Sequence, residues 1–103
     1  MRGSELFPIS EYYKNNIKDA YTIKRGGLWW TAALLIEDPR NNNNFIKIYK
    51  WQFDKKSNTW KVRESIKIND KKGLNKIIKV FRKFENSIPG KSDESLIDLF
   101  ENE

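Results

Sequence analysis

The order of apolar and polar positions along the chain predicts four strands followed by a helix. Residues 21–25 (YTIKR) alternate and end at Gly26-Gly27, which predicts a first strand and a turn. Residues 28–36 (LWWTAALLI) are apolar on both sides, as in a covered central strand, although a helical segment would show the same pattern. After the asparagine-rich loop 40–44, residues 45–54 (FIKIYKWQFD) and 59–69 (TWKVRESIKIN) predict two more strands joined by a turn at 55–58.

The spacing of apolar residues becomes helical after Asn69-Asp70, either of which can cap a helix. The apolar positions are Leu74, Ile77, Ile78, Phe81 and Phe84, and Pro89-Gly90 predicts an end near Ser87. We therefore expect an α+β fold, with a four-stranded curved antiparallel sheet followed by an amphipathic helix on one face. We divide the chain into an N-terminal segment (1–20), in which Ser10 can cap a short helix, a sheet-plus-helix domain (21–88) and a tail (89–103).

The register of the hairpin formed by residues 45–54 and 59–69 decides the role of its aromatic row, which is Phe45, Tyr49, Trp51 and Phe53 with Lys47 among them. If the turn has four residues, Phe53 pairs with Trp60, and this row is core beneath the helix. A turn of another length, or a bulge, shifts the pairing by one residue. The row then lies in solvent beside Lys61, Arg63, Ser65 and Lys67, where its rings could stack on nucleobases.

The absence of histidine and cysteine removes the commonest general base, the commonest metal ligands and any thiol nucleophile. We therefore expect a protein that is not an enzyme and has no cofactor or metal. The alternative is a Mg²⁺-dependent nuclease that uses the carboxylates of Glu37, Asp38 and Asp54 at strand ends.

Charge divides the chain into two parts. The net charge is +6, but residues 1–90 carry +10 and residues 91–103 carry −4. A basic body suits a polyanion such as nucleic acid, although it could equally serve solubility. The acidic, apolar tail either packs as a last helix capped by Ser92 or recruits a protein partner and competes with DNA for the basic surface.

No apolar run approaches the ~20 residues that span a membrane, and the N-terminus lacks the apolar core of a signal peptide. We expect a soluble protein that is cytoplasmic (nucleoid-associated) or nuclear. The first four residues, MRGS, have the composition of an expression-vector remnant.

The segments FIKIYKWQFD (45–54) and KVRESIKIND (61–70) and the helix Lys72–Phe84 together resemble the transcriptional positive cofactor four family and the related plant Whirly proteins. The resemblance covers residues 21–85. It implies a homodimer formed through the helix at 72–85 and binding of single-stranded DNA without strict sequence preference. It also implies that Trp51 stacks on bases, and that Lys24, Arg25, Lys50, Lys61, Arg63 and Lys67 lie near phosphates. The long strand 26–36 and the asparagine loop depart from the family pattern. The chain also resembles ThermoDBP-like archaeal single-stranded DNA-binding proteins.

Pattern and resemblance together predict a single-stranded DNA-binding protein with a role in transcription, replication or repair. The alternatives are an RNA-binding protein and a protein-interaction module that uses the aromatic row. The predicted nucleic-acid-binding residues are Trp51, Tyr49, Phe53, Lys47, Lys50, Lys61, Arg63, Lys67, Lys24, Arg25 and Trp29.

Overall fold

A computed structural model describes residues 7–90. A short helix α1 (Glu11–Lys14) precedes four strands, β1 (Ile17–Gly26), β2 (Trp29–Glu37), β3 (Asn44–Asp54) and β4 (Thr59–Ile68). Helix α2 (Lys71–Phe84) and a 3₁₀ turn (Glu85–Ser87) follow. The strands form one open antiparallel sheet in the order β1-β2-β3-β4, so the predicted α+β class, with a four-stranded antiparallel sheet followed by a helix, is confirmed. β1 begins at Ile17, four residues before the predicted start.

One face of the sheet, here called the covered face, holds the core. Alternate residues of the two central strands point to it, and the largest fully buried side chains are Ile17, Leu34, Ile36 and Trp51. Trp30 stacks on Phe7 at 5.1 Å and lies 4.9 Å from Trp51 between ring centroids. The core residues are Phe7, Ile17, Trp30, Ala32, Leu34, Ile36, Phe45, Tyr49 and Trp51.

The N-terminal segment, rather than the C-terminal helix, closes this core. Phe7 packs on the two central tryptophans, and the Pro8 carbonyl accepts a hydrogen bond from the Trp51 indole at 3.1 Å. Ser10 caps α1 by accepting from the Tyr12 amide, and Tyr13 meets Phe45 edge-on at 5.5 Å. The four-residue-turn alternative, in which the aromatic row is core beneath the C-terminal helix, is therefore correct in burying much of the row but wrong about the element that covers it.

A bulge in β4 gives the hairpin both of the alternative registers. Near the turn, Phe53 pairs with Trp60 and Trp51 with Val62, as a four-residue turn requires. Arg63 is then an extra residue, and beyond it Tyr49 pairs with Ser65. The bulge therefore places Trp60 and Val62 on the covered face, but turns Ile66 and Ile68 to the other face.

Helix α2 has the predicted extent but is not buried against the sheet. Asp70 caps it by accepting from the Gly73 amide at 2.7 Å. No residue of α2 is buried, and Ile78, Phe81 and Phe84 are exposed. Its first turn borders the sheet, where Leu74 lines a cavity of about 250 Å³ with Leu35, Ile46 and Ile68.

Asparagines supply the left-handed backbone that two connections need. Asn42, between β2 and β3, has φ 62°, and Asn58, in the β3–β4 turn, has φ 58°. Among residues 7–90, no helix is long and apolar enough to cross a membrane.

Candidate nucleic-acid interface

The second face of the sheet, here called the open face, carries cations around a single tryptophan. Directly paired residues of an antiparallel sheet share a face, so the pairings define rows across all four strands. The first row is Gly26–Trp29–Gln52–Lys61, and the second is Lys24–Thr31–Lys50–Glu64. Arg63, at the bulge, joins them because its Nε donates to Gln52 Oε1 at 3.0 Å. We call Lys24, Trp29, Lys50, Gln52, Lys61 and Arg63 the Trp29 patch.

Trp29 is the accessible indole of this patch, and 42 % of its surface is exposed. Lys50 Nζ lies 4.9 Å from the ring centroid, within cation–π range. Trp29, Lys24, Gly26, Thr31 and Lys50 line a hollow of about 420 Å³. An aromatic plane and two ammonium groups therefore border one open depression.

Two cations of the Trp29 patch have carboxylate neighbours. Lys50 Nζ is 3.6 Å from Glu64 Oε2, and Lys61 Nζ is 3.5 Å from Asp54 Oδ2. Both lysines are about half exposed, so the ion pairs are weak and can exchange for phosphate contacts. Hydrogen bonds from the Lys56 amide and the Ser57 hydroxyl lower the pKa of Asp54, which therefore stays charged.

Two rings predicted to stack on bases lie in the core. Trp51 is fully buried, and Tyr49 lies parallel to it at 5.2 Å. Burial raises the pKa of Tyr49 above its usual value. Neither ring is accessible in this structure, so the stacking role predicted for Trp51 and Tyr49 is corrected to a structural one.

Four other predicted site residues are separated from the Trp29 patch by the sheet. Arg25 pairs with Trp30 on the covered face and places its guanidinium carbon 3.9 Å from that ring. Phe53 is half-buried against Trp60. Lys47 and Lys67 pair on the covered face, where Lys67 Nζ lies 4.4 Å from the Phe45 ring. The predicted surface is thus split, and only Lys24, Trp29, Lys50, Lys61 and Arg63 share a face.

The acidic residues considered for a nuclease do not converge. Asp38 accepts three hydrogen bonds from Arg40, at 2.8–3.1 Å, and these lower the pKa of Asp38 to about 2. Glu37 pairs with Lys18 at 2.6 Å. Asp54 lies at the opposite end of β3, about 30 Å away for ten residues of strand. Within residues 7–90, no three His, Cys, Asp or Glu residues form a metal-binding group.

The fold and the patch define a small α+β protein with an open-faced antiparallel meander. No protein-family model, curated protein or solved structure matches the chain. The resemblance noted from the sequence therefore remains a prediction, and the Trp29 patch is the feature of the structure from which a function can be proposed.

Gln52 in the patch and Thr31 in the hollow beside Trp29 are absent from the sequence-based set. Both are polar residues that stand between apolar or aromatic neighbours in their strands. The available signal was the Trp29-Trp30 pair, because consecutive strand residues point to opposite faces. In a strand covered on one face, one of the two rings leaves the core.

Proposed function

We propose that the chain is a single-stranded nucleic-acid-binding protein without catalytic activity, and that the Trp29 patch is its contact surface. Base stacking on an aromatic ring tolerates any sequence, because every base has a π-face. Lysine and arginine around the ring neutralise phosphates and release counterions. We favour DNA, with RNA as the alternative ligand of the same surface.

The observation that carries this proposal is a half-exposed tryptophan surrounded by cations on an uncovered sheet face. An indole that stays exposed to water forgoes the free energy that burial of its apolar surface would provide. The described residues carry 18 Lys and Arg against eight Asp and Glu, a net charge of +10, so the long-range field also favours a polyanion. A duplex offers stacking faces only at its ends, whereas a single strand offers one at each base.

The test is the affinity of Trp29→Ala for fluorescently labelled oligo-dT, followed by anisotropy. Loss of a stacking ring costs ~1–3 kcal/mol, so we expect affinity to fall about 5- to 150-fold. Trp29→Phe keeps an aromatic face and should retain most of the affinity. Equal affinity for wild type and Trp29→Ala would contradict the proposal.

Two neighbouring residues on opposite faces of the sheet test whether nucleic acid binds to the open face. Lys24 lies on the open face and Arg25 on the covered face, yet Lys24→Gln and Arg25→Gln change the net charge equally. We expect Lys24→Gln to weaken oligonucleotide binding more than Arg25→Gln does, with thermal unfolding measured to correct for the loss of Arg25–Trp30 contact. Equal effects would indicate a non-specific response to net charge.

A protein-interaction module is the second candidate function, because Trp29 with Leu28, which is 37 % exposed, could dock a protein. The two functions differ in salt response. Affinity for single strands falls as the salt concentration rises, with a log–log slope of ~0.7 per phosphate contact, whereas the affinity of an aromatic docking surface changes little.

The predicted role in transcription, replication or repair is part of the nucleic-acid-binding proposal and requires that the ligand is DNA.

A further inference from the structure

Helix α2 exposes the side that an amphipathic helix normally buries. Phe81 and Phe84 are 62 % and 60 % exposed, and Ile78 is 46 % exposed. Ile88, just after the 3₁₀ turn, is 67 % exposed. Ile78, Phe81 and Phe84 form a continuous apolar strip, because positions three residues apart share one side of a helix.

The strip continues onto the open face of the sheet. The two rows beyond the Trp29 patch include Ala33–Ile48–Ile66 and Leu35–Ile46–Ile68, and Leu74 borders the second of them. Ile66 is 58 % exposed. We call Ile46, Ile48, Ile66, Leu74, Ile78, Phe81 and Phe84 the apolar cleft.

The polar side of α2 restricts what can cover this cleft. Residues 71–84 contain six Lys and Arg and no Asp or Glu. Two such helices packed together from two copies would bring twelve positive charges into proximity, which disfavours the homodimer predicted through residues 72–85. A covering segment should therefore be apolar on one side and acidic on the other.

Residues 91–103 (KSDESLIDLFENE), which lie outside the described structure, have this composition. They carry five acids and one lysine. Leu96, Leu99 and Phe100 recur at helical spacing with Ile97 beside them, and most of the acids fall on the other side.

The tail is also in reach of the cleft. The described chain ends at Gly90, whose φ of +113° allows a change of direction just after Pro89. Thirteen helical residues extend about 20 Å, close to the ~21 Å of a 14-residue helix. Short connections between helices favour antiparallel packing of neighbours.

We infer that residues 91–103 dock on the apolar cleft of their own chain, running antiparallel to α2. Leu96, Leu99 and Phe100 then cover Phe81 and Phe84, and the last carboxylates of the tail lie near Lys71, which flanks the apolar side of α2. The inference concerns a surface distinct from the Trp29 patch and does not depend on nucleic-acid binding.

The test is zero-length carbodiimide crosslinking of the full chain, with an equal mixture of ¹⁴N- and ¹⁵N-labelled protein analysed by mass spectrometry. We expect amide crosslinks between the tail acids and Lys71, which flanks the apolar side of α2, rather than Lys79 on the opposite side of the helix. The two peptides of each crosslinked pair should carry the same isotope, either ¹⁴N or ¹⁵N, because the crosslink forms within one chain. Mixed-isotope pairs would assign the tail to a second copy, and absence of tail–α2 crosslinks would overturn the inference.

A variant pair supplies an independent readout. Leu96→Asp with Phe100→Asp should raise the fluorescence of the apolar dye ANS several-fold, because the cleft loses its cover. Ser95→Asp with Asn102→Asp adds the same two charges away from the apolar side of the tail and should leave dye binding near the wild-type value. An unchanged signal in the first variant would contradict docking, whether or not the protein binds DNA.

Discussion

Two adjacent tryptophans show how strand geometry assigns opposite roles to identical residues. Trp30 is 3 % exposed and donates its indole N–H to Thr22 Oγ1 at 3.0 Å, whereas Trp29 is 42 % exposed beside Lys50. The period of two makes this separation unavoidable in a strand covered on one face. The apolar run 28–36 also fits a strand covered on both faces, so the sequence did not show that one ring lies outside, and the choice between the rings depends on which face the N-terminal segment covers.

The structural role of Trp51 gives a direct prediction. Trp51→Ala should destabilise the fold by ~3–5 kcal/mol, since it removes a fully buried ring. Trp51→Phe should cost ~1–3 kcal/mol, because the Pro8 carbonyl loses its donor. Denaturant unfolding measures both. Oligonucleotide affinity, corrected for the folded fraction, should stay unchanged in Trp51→Phe, and a large loss of affinity without destabilisation would restore Trp51 to the binding site.

The Asp38–Arg40 pair predicts an acid-sensitive contribution to stability. The pKa of Asp38 is lowered to about 2 in the fold, so the unfolded chain binds a proton first as pH falls. The stabilisation is complete above the ordinary carboxyl range near pH 4 and is lost as pH falls toward 2. The difference in unfolding free energy between wild type and Asp38→Asn should shrink over that interval. A difference that is constant from pH 5 to pH 2 would contradict it.

At the scale of elements, the bulge at Arg63 is the feature that periodicity could not place. The alternation of Trp60, Val62, Ile66 and Ile68 predicts one apolar face, but the bulge assigns the first pair and the second pair to opposite faces. The bounds of β2, β3 and β4 were predictable because turn residues flank each run, and Asp70 marked the helix start, whereas β1 begins four residues before its predicted start. The packing partner of α2 was not predictable, because amphipathicity shows that a helix needs a partner without identifying it.

The N-cap of α2 gives a prediction about the stability of this helix. Asp70→Ala removes the acceptor for the Gly73 amide and should cost the helix ~1 kcal/mol. Because α2 has no residue buried against the sheet, we expect a lower helical circular-dichroism signal with little change in the unfolding midpoint of tryptophan fluorescence. Equal losses by the two probes would show instead that helix and sheet unfold as one unit.

At the scale of the whole molecule, residues 1–90 carry a net charge of +10 and residues 91–103 carry −4. If residues 92–103 compete with DNA for the basic surface, deleting them should tighten oligo-dT binding at low salt and change it little at high salt, where exposed charges are screened. Affinities of full-length and truncated protein across a salt series measure this. Identical affinities at low salt would exclude competition, while a steep salt slope in both proteins would still support phosphate contacts.

The most direct test of the account is the indole N–H region of a ¹⁵N–¹H NMR spectrum during titration with oligo-dT. The four tryptophans give separate probes of the open face and the core, and two of the buried indoles are hydrogen-bonded within the protein, Trp30 to Thr22 and Trp51 to Pro8. We predict that the Trp29 signal shifts or broadens first and most, while the Trp51 signal stays in place. A shift of Trp51 with Trp29 unchanged would contradict the proposal that bases stack on the open face.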